Sequence, residues 1–245
     1  MMVRSCSVIA LALLVVLTSA CEVRPGELRA AVAQGDLKEV KSLLERGADV
    51  NEKTNTGSTA LHEALFRREN LIAEYLIQQG ADVNAKGMYD VTPLHMAHDV
   101  STVRLLLING ADANAWSISD GTPLHSATAT GAGGVVRILI AHGAAVDSTD
   151  AKGSTPLHLA AGKALTKIAV LLISAGAPIN AQNSLGFTPL HWASGNGHLK
   201  MVALLLEHGA SINTTASSGA TPLQRAQDNG HRRVVELLQK HGAER

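Results

Sequence analysis

Eleven histidines are the main chemical resource of this chain. Imidazole is the commonest metal ligand and the side chain best placed for acid–base work near neutral pH. The tightest grouping is His95-Met96-Ala97-His98-Asp99, an i, i+3 histidine pair followed by a carboxylate. The remaining histidines recur instead of clustering. His62, His95, His125, His158 and His191 each stand three residues after a threonine. His198 and His231 each follow a glycine, and His142, His208 and His241 each precede one. Recurrence of this kind assigns them to a repeated structural element. No Gly-x-Ser-x-Gly elbow, phosphate loop or Cys/His ligand set accompanies them. Gly131-Ala132-Gly133-Gly134 is glycine-rich but falls between two helical segments, where a structural role and some local looseness are expected. The expectation is no catalytic residue, no metal and no cofactor.

The elements that carry these residues follow from a second set of spacings. Thr59, Thr92, Thr122, Thr155, Thr188 and Thr221 recur at intervals of 33, 30, 33, 33 and 33. Two residues after each stands Leu61, Leu94, Leu124, Leu157, Leu190 or Leu223. Five after each stands Ala64, Ala97, Ala127, Ala160, Ala193 or Ala226. Glycines 47, 80, 110, 143, 176, 209 and 242 are each preceded by a leucine four residues earlier. A period near 33 means an array of one supersecondary unit.

In Thr188-Pro189-Leu190-His191 the threonine suits an N-cap and the proline the first helical position. The histidine falls at N3, where its ring can bond back as in a capping box. A helix of about two turns ends near Gly195-Asn196-Gly197, and a second runs from about His198 to His208 with Met201, Val202, Leu205 and Leu206 on one face. Gly209 stops it in the left-handed conformation. Neither helix is long enough to stand alone, so stacking must supply the burial. In the third unit the threonine-to-glycine distance is 18 residues against 21 elsewhere, which predicts a shortened turn between its two helices.

These residues resemble the ankyrin repeat. Thr-Pro-Leu-His stands in four copies, and Thr59-Ala60-Leu61-His62 and Thr221-Pro222-Leu223-Gln224 are variants. A seventh, N-terminal copy has Pro25-Gly26-Glu27-Leu28 in place of the motif, as suits a terminal cap. The resemblance implies an all-α repeat solenoid of about seven stacked helix-turn-helix units joined by hairpin loops. It also implies a non-catalytic protein–protein interaction scaffold.

Composition agrees with that reading. Lys+Arg and Asp+Glu are both 21, giving a formal net charge of zero, and no charge block reads as a nucleic-acid arm or a polybasic membrane patch. Hydrophobic residues make up 46% and aromatics only 2%, which suits small helices packed closely.

Residues 1–20 read as an export signal. Arg4 supplies the positive start, Val8–Leu17 is an unbroken apolar run, and Thr18-Ser19-Ala20 are small. The run is too short to span a membrane, which takes roughly 20 apolar residues. Cys21 follows directly, so the segment resembles the lipobox of bacterial lipoproteins, whose cysteine is lipidated. Leu17 stands four residues before Cys21, where that family has leucine three before, and Thr18 fills the slot. Ordinary cleavage after Ala20 is the alternative. The domain expectation is a signal sequence at 1–20, a short tether at 21–26 and the repeat domain at 27–245. The membrane is then touched only through a lipid at Cys21, and the protein is an envelope-exported monomer. The alternative function is a soluble periplasmic inhibitor, or immunity-like protein, that blocks an enzyme.

The family resemblance places partner binding on hairpin tips and first helices. Interface anchors are rich in Trp, Tyr and Arg, so exposed aromatics nominate the site. Tyr75 is assigned to the core. Met88 and Tyr89 on one hairpin and Trp116 and Ile118 on the next form the first candidate patch, with Phe66 and Arg67 on the preceding first helix as a rim. Leu185 and Phe187, on the hairpin before the sixth motif, form a second candidate. Trp192 is assigned to packing.

Overall fold

The computed structural model describes residues 23–244; the export-signal segment and Cys21 lie outside the described residues. Two compact units divide the chain, Met1–Asp82 and Val83–Arg245. The first contains α1 (Glu27–Ala33), α2 (Leu37–Glu45), α3 (Ala60–Arg67) and α4 (Asn70–Gln78). The second contains α5 (Pro93–Met96), α6 (Val100–Ile108), α7 (Pro123–Ala129), α8 (Gly133–Ala141), α9 (Pro156–Gly162) and α10 (Thr166–Ser174). It ends with α11 (Pro189–Gly195), α12 (Leu199–Glu207), α13 (Pro222–Asp228) and α14 (Arg232–Lys240).

Within each unit the helices form two layers. In the first unit α1 packs on α3 and α2 on α4. In the second, α5, α7, α9, α11 and α13 stack in one row and α6, α8, α10, α12 and α14 in the other. The repeated leucines and alanines fill the space between. Leu61, Leu124, Leu157 and Leu190 are fully or almost fully buried, as are Leu76, Leu139, Leu172 and Leu205. Ala64, Ala160, Ala193 and Ala226 are fully buried, so one methyl group sets how closely the first helices approach.

Each second helix is stopped where expected. Glycines 47, 80, 110, 143, 176, 209 and 242 all have φ between 82° and 90°. That left-handed conformation is cheap only without a side chain. Four residues beyond the glycine stands a further joint that sequence reasoning did not single out. Asn114 donates from Nδ2 to the Gly143 carbonyl at 3.1 Å and accepts the Ala145 N–H at 2.8 Å. Asn84 does the same with Gly110 and Asp112, and Asn180 with Gly209 and Ser211. In the first unit Asn51 joins Gly80 and Asp82. Each amide thus satisfies orphan groups at the next helix end.

Three expectations need correction or refinement. The three-residue deletion in the third unit was assigned to the inter-helix turn; it removes helix instead. α5 is a single turn of four residues, and the backbone turns extended at Ala97. Asp99 then caps α6, accepting from the Thr102 N–H at 2.8 Å and the Ser101 hydroxyl at 2.6 Å. Tyr75 is half-buried and not core, with the Lys41 ammonium 5.2 Å from its ring centroid. Gly133 and Gly134 begin α8, and a Cβ on Gly134 would lie 3.1 Å from Val100 Cγ2. The glycine there serves a close approach of α8 to α6.

Candidate protein-binding surface

The recurrent histidines have a shared geometry. The N–H of Thr92, Thr122, Thr155 and Thr188 donates to Nδ1 of His95, His125, His158 and His191 at 3.1–3.2 Å. A backbone N–H can only donate, so each Nδ1 is unprotonated and the neutral ring carries its proton on Nε2. That Nε2–H donates to the carbonyl of Gly121, Ser154, Phe187 or Ala220 at 2.8–3.0 Å. Every acceptor is the residue just before the next threonine. In the first unit, His62 Nδ1 likewise receives the Thr59 N–H at 3.2 Å.

Burial pushes His95, His125, His158 and His191 below the usual histidine range, against the smaller upward pull of their carbonyl partners. Both ring nitrogens of each are occupied. His95 therefore has no lone pair to share with His98, which is exposed. The histidines act as joints between helix caps and hairpins.

A family model described as ankyrin repeats matches this chain three times, over residues 28–116, 94–183 and 162–244. The chain belongs to the ankyrin-repeat family. No curated protein matches it. Ankyrin repeats imply a protein–protein interaction scaffold, and proteins built from them are generally non-catalytic.

The ankyrin hairpins close with short backbone bonds and link tip to tip. Ile118 N–H donates to the Tyr89 carbonyl at 2.9 Å, Ser184 N–H to Lys152 at 3.0 Å, and Ser217 N–H to Leu185 at 3.0 Å. The first of these bonds joins the two hairpins of the candidate patch. Met88, Tyr89, Trp116 and Ile118 are 53%, 57%, 43% and 55% exposed. Four large apolar side chains on linked tips form a patch that solubility does not favour.

The backbone beneath them is unusual. Tyr89 and Asp90 have φ of 59° and 61°. Asp90 stands two residues before Thr92, where Gly57, Gly153, Gly186 and Gly219 hold the same conformation in other hairpins. A bulky residue in that region carries backbone strain of order 1–3 kcal/mol. Trp116 also has a partner: its indole N–H donates to the Thr149 carbonyl at 3.1 Å. It braces the next hairpin, not its own, while leaving much of the ring in solvent.

The other candidates divide. Phe66 is the more exposed at 71%, and Arg67 donates to Glu63 at 2.7 Å; both belong to α3 in the first unit. Leu185 is exposed on its tip. Phe187 is half-buried, 5.5 Å from the His191 ring and 5.1 Å from the Arg225 guanidinium. Trp192 packs as expected, edge-on to His158 at 5.9 Å, yet stays half-buried. Together Leu185, Phe187, Trp192 and Arg225 line a groove of about 660 Å³ that the sequence did not disclose.

Proposed function

We propose that this ankyrin protein is an envelope-exported scaffold of seven repeat copies, lipid-anchored through Cys21, that holds a protein partner on its hairpin tips. The linked patch of Met88, Tyr89, Trp116 and Ile118 carries the reading of the binding surface. Its four side chains are exposed, apolar and adjacent, and one sits on backbone strained in a way its sister hairpins avoid. Strain of that kind persists where the surrounding structure holds it and is concentrated at working sites. Phe66 and Arg67 add a second contact region on the first unit, and Leu185 with Phe187 a third.

Trp116→Ala is expected to weaken partner binding by about 2 kcal/mol or more, the range of an interface hot spot. Its hydrogen bond to Thr149 adds about 1 kcal/mol of stability, so a small loss in melting temperature is expected beside the binding loss. Pull-down from the cell envelope identifies the partner, and calorimetry on the variant measures the effect. Binding that falls only in proportion to folding would make Trp116 a brace alone.

The apolar run ending in small residues before Cys21 supports the anchor. Cys21→Ser is expected to move the protein from the membrane fraction to the soluble periplasm. A wild-type protein that is already soluble and carries no acyl group would overturn the anchor and leave ordinary cleavage. The tether Cys21–Gly26 reaches at most about 20 Å, so a lipidated form holds its first repeat near the bilayer.

A further inference from the structure

The groove bounded by the hairpins at 151–152 and 183–187 and by α11 and α13 lies apart from the tip patch and has its own chemistry. Two large side chains line it, each laid across a glycine one repeat earlier. A Cβ on Gly162 would fall 2.6 Å from Trp192 Cε3, and one on Gly195 would fall 3.3 Å from Arg225 Nε. Trp192 and Arg225 each stand four residues after their threonine, and Gly162 and Gly195 seven after theirs. A side chain at either glycine would displace the group above it. Arg225 is held on its other side by the Phe187 ring. The outer wall is fixed by the backbone bonds of Ser184 to Lys152 and of Ser217 to Leu185.

The charge of the groove is unbalanced. Lys152 and Arg225 line it, and no carboxylate does. Among the described residues neither cation has a carboxylate within 4 Å; the ion pairs are Arg46–Glu39 and Arg67–Glu63. Arg225 Nε is buried without an acceptor. Asn196 spends its Nδ2 on the Gly162 carbonyl at 2.9 Å. Its Oδ1 accepts no bond from the described residues and can receive a backbone N–H. The floor is aromatic, from Phe187 and Trp192, and Leu185 caps one edge.

We infer that this groove binds an extended polypeptide segment of a partner that carries an acidic side chain beside an apolar one. The carboxylate pairs with the stacked guanidinium of Arg225, assisted by Lys152, in the fork geometry that makes such pairs strong. The apolar neighbour covers Trp192 and Phe187, which present rigid area at small entropic cost. Two cations are too few for a nucleic-acid backbone, whose binding scales with the number of phosphates neutralised. The inference rests on the scaffold reading but not on the tip patch.

The test is selection of short random peptides on the full chain by display. The selected peptides are expected to share Asp or Glu next to Leu, Phe or another large apolar residue. Arg225→Gln should weaken a selected peptide about tenfold or more, and Glu→Gln in the peptide should do the same. The two changes together should cost little more than either alone. Lys152→Gln, on an exposed hairpin, should weaken binding several-fold without touching the core, and it keeps the test valid should Arg225→Gln unfold the protein. Met88→Ala, on a hairpin tip two hairpins away from Lys152, should leave peptide affinity unchanged, which separates this site from the tips. Selection of no peptide, selection of peptides without an acid, binding indifferent to both Lys152→Gln and Arg225→Gln, or equal displacement by a short oligonucleotide would each overturn the inference.

Discussion

Acidification from about pH 7.5 to about pH 5.5 is expected to lower stability, chiefly through four buried histidines. In the unfolded chain each imidazole takes up a proton near pH 6.5 or so. In the fold, burial holds His95, His125, His158 and His191 below that value. Below it the unfolded state binds more protons, so stability rises with pH. The contribution is fully present above the unfolded value and is lost as the pH falls toward the folded one. Each ring adds at most about 1.4 kcal/mol per pH unit, and all four act in the same direction.

Protonation would also place a hydrogen on Nδ1, opposite the threonine N–H that now donates to it. The repeat cap and the proton therefore compete for one lone pair. Urea midpoints across this pH range measure the effect. His125→Gln, which copies the Gln224 found beneath Thr221 in the last repeat, should flatten the slope by about a quarter of its full value. A midpoint that stays level down to about pH 5.5 would exclude the mechanism.

The second large effect is Leu205→Ala, expected to cost roughly 2–5 kcal/mol. Leu205 is fully buried in α12, which packs on both α10 and α12's other neighbour α14. The truncation thus opens a cavity at two interfaces of a stack in which each repeat is stabilised only by its neighbours. Ile108→Ala is the control. It also lies on a second helix but is 77% exposed, and its effect should stay within about 0.5 kcal/mol. Thermal or urea unfolding of both variants decides the point. Equal losses would mean that stacking between second helices contributes little.

Much of the fold was legible because its signals are local. Thr188 caps, Pro189 starts, His191 bonds back and Gly209 stops, all within one repeat, and phased recurrence gave each assignment several independent checks. The deletion in the third unit was visible, but its placement was not. A missing three residues can shorten a turn or a helix equally in sequence, and only the early exit at Ala97 decides for the helix. Tyr75 was misplaced because position on a second helix does not say which way the ring faces. The tip patch was legible as apolar residues in polar loops. Its strained backbone was foreshadowed by Asp90 at a position where four other hairpins carry glycine. The groove was hidden because Leu185, Trp192 and Arg225 come from three repeats. Its only sequence trace is the pairing of a glycine in one copy with a large residue thirty positions later.

The histidine joint has a bearing on how such a chain changes length. Each ring reaches for the carbonyl just before the next threonine, and those carbonyls belong to glycine, serine, phenylalanine and alanine in turn. The contact reads main chain and ignores the side chain. Excision of residues 155–187 would place Ser154 directly before Thr188, and His125 would still find its carbonyl there. Insertion of a copy at the same seam would meet the same acceptor. The joint is therefore neutral to copy number, so recombination between copies can lengthen or shorten the array while leaving the histidine contact at the seam intact. The cost of such an exchange falls instead on surfaces that span copies, the Trp192–Arg225 groove first among them.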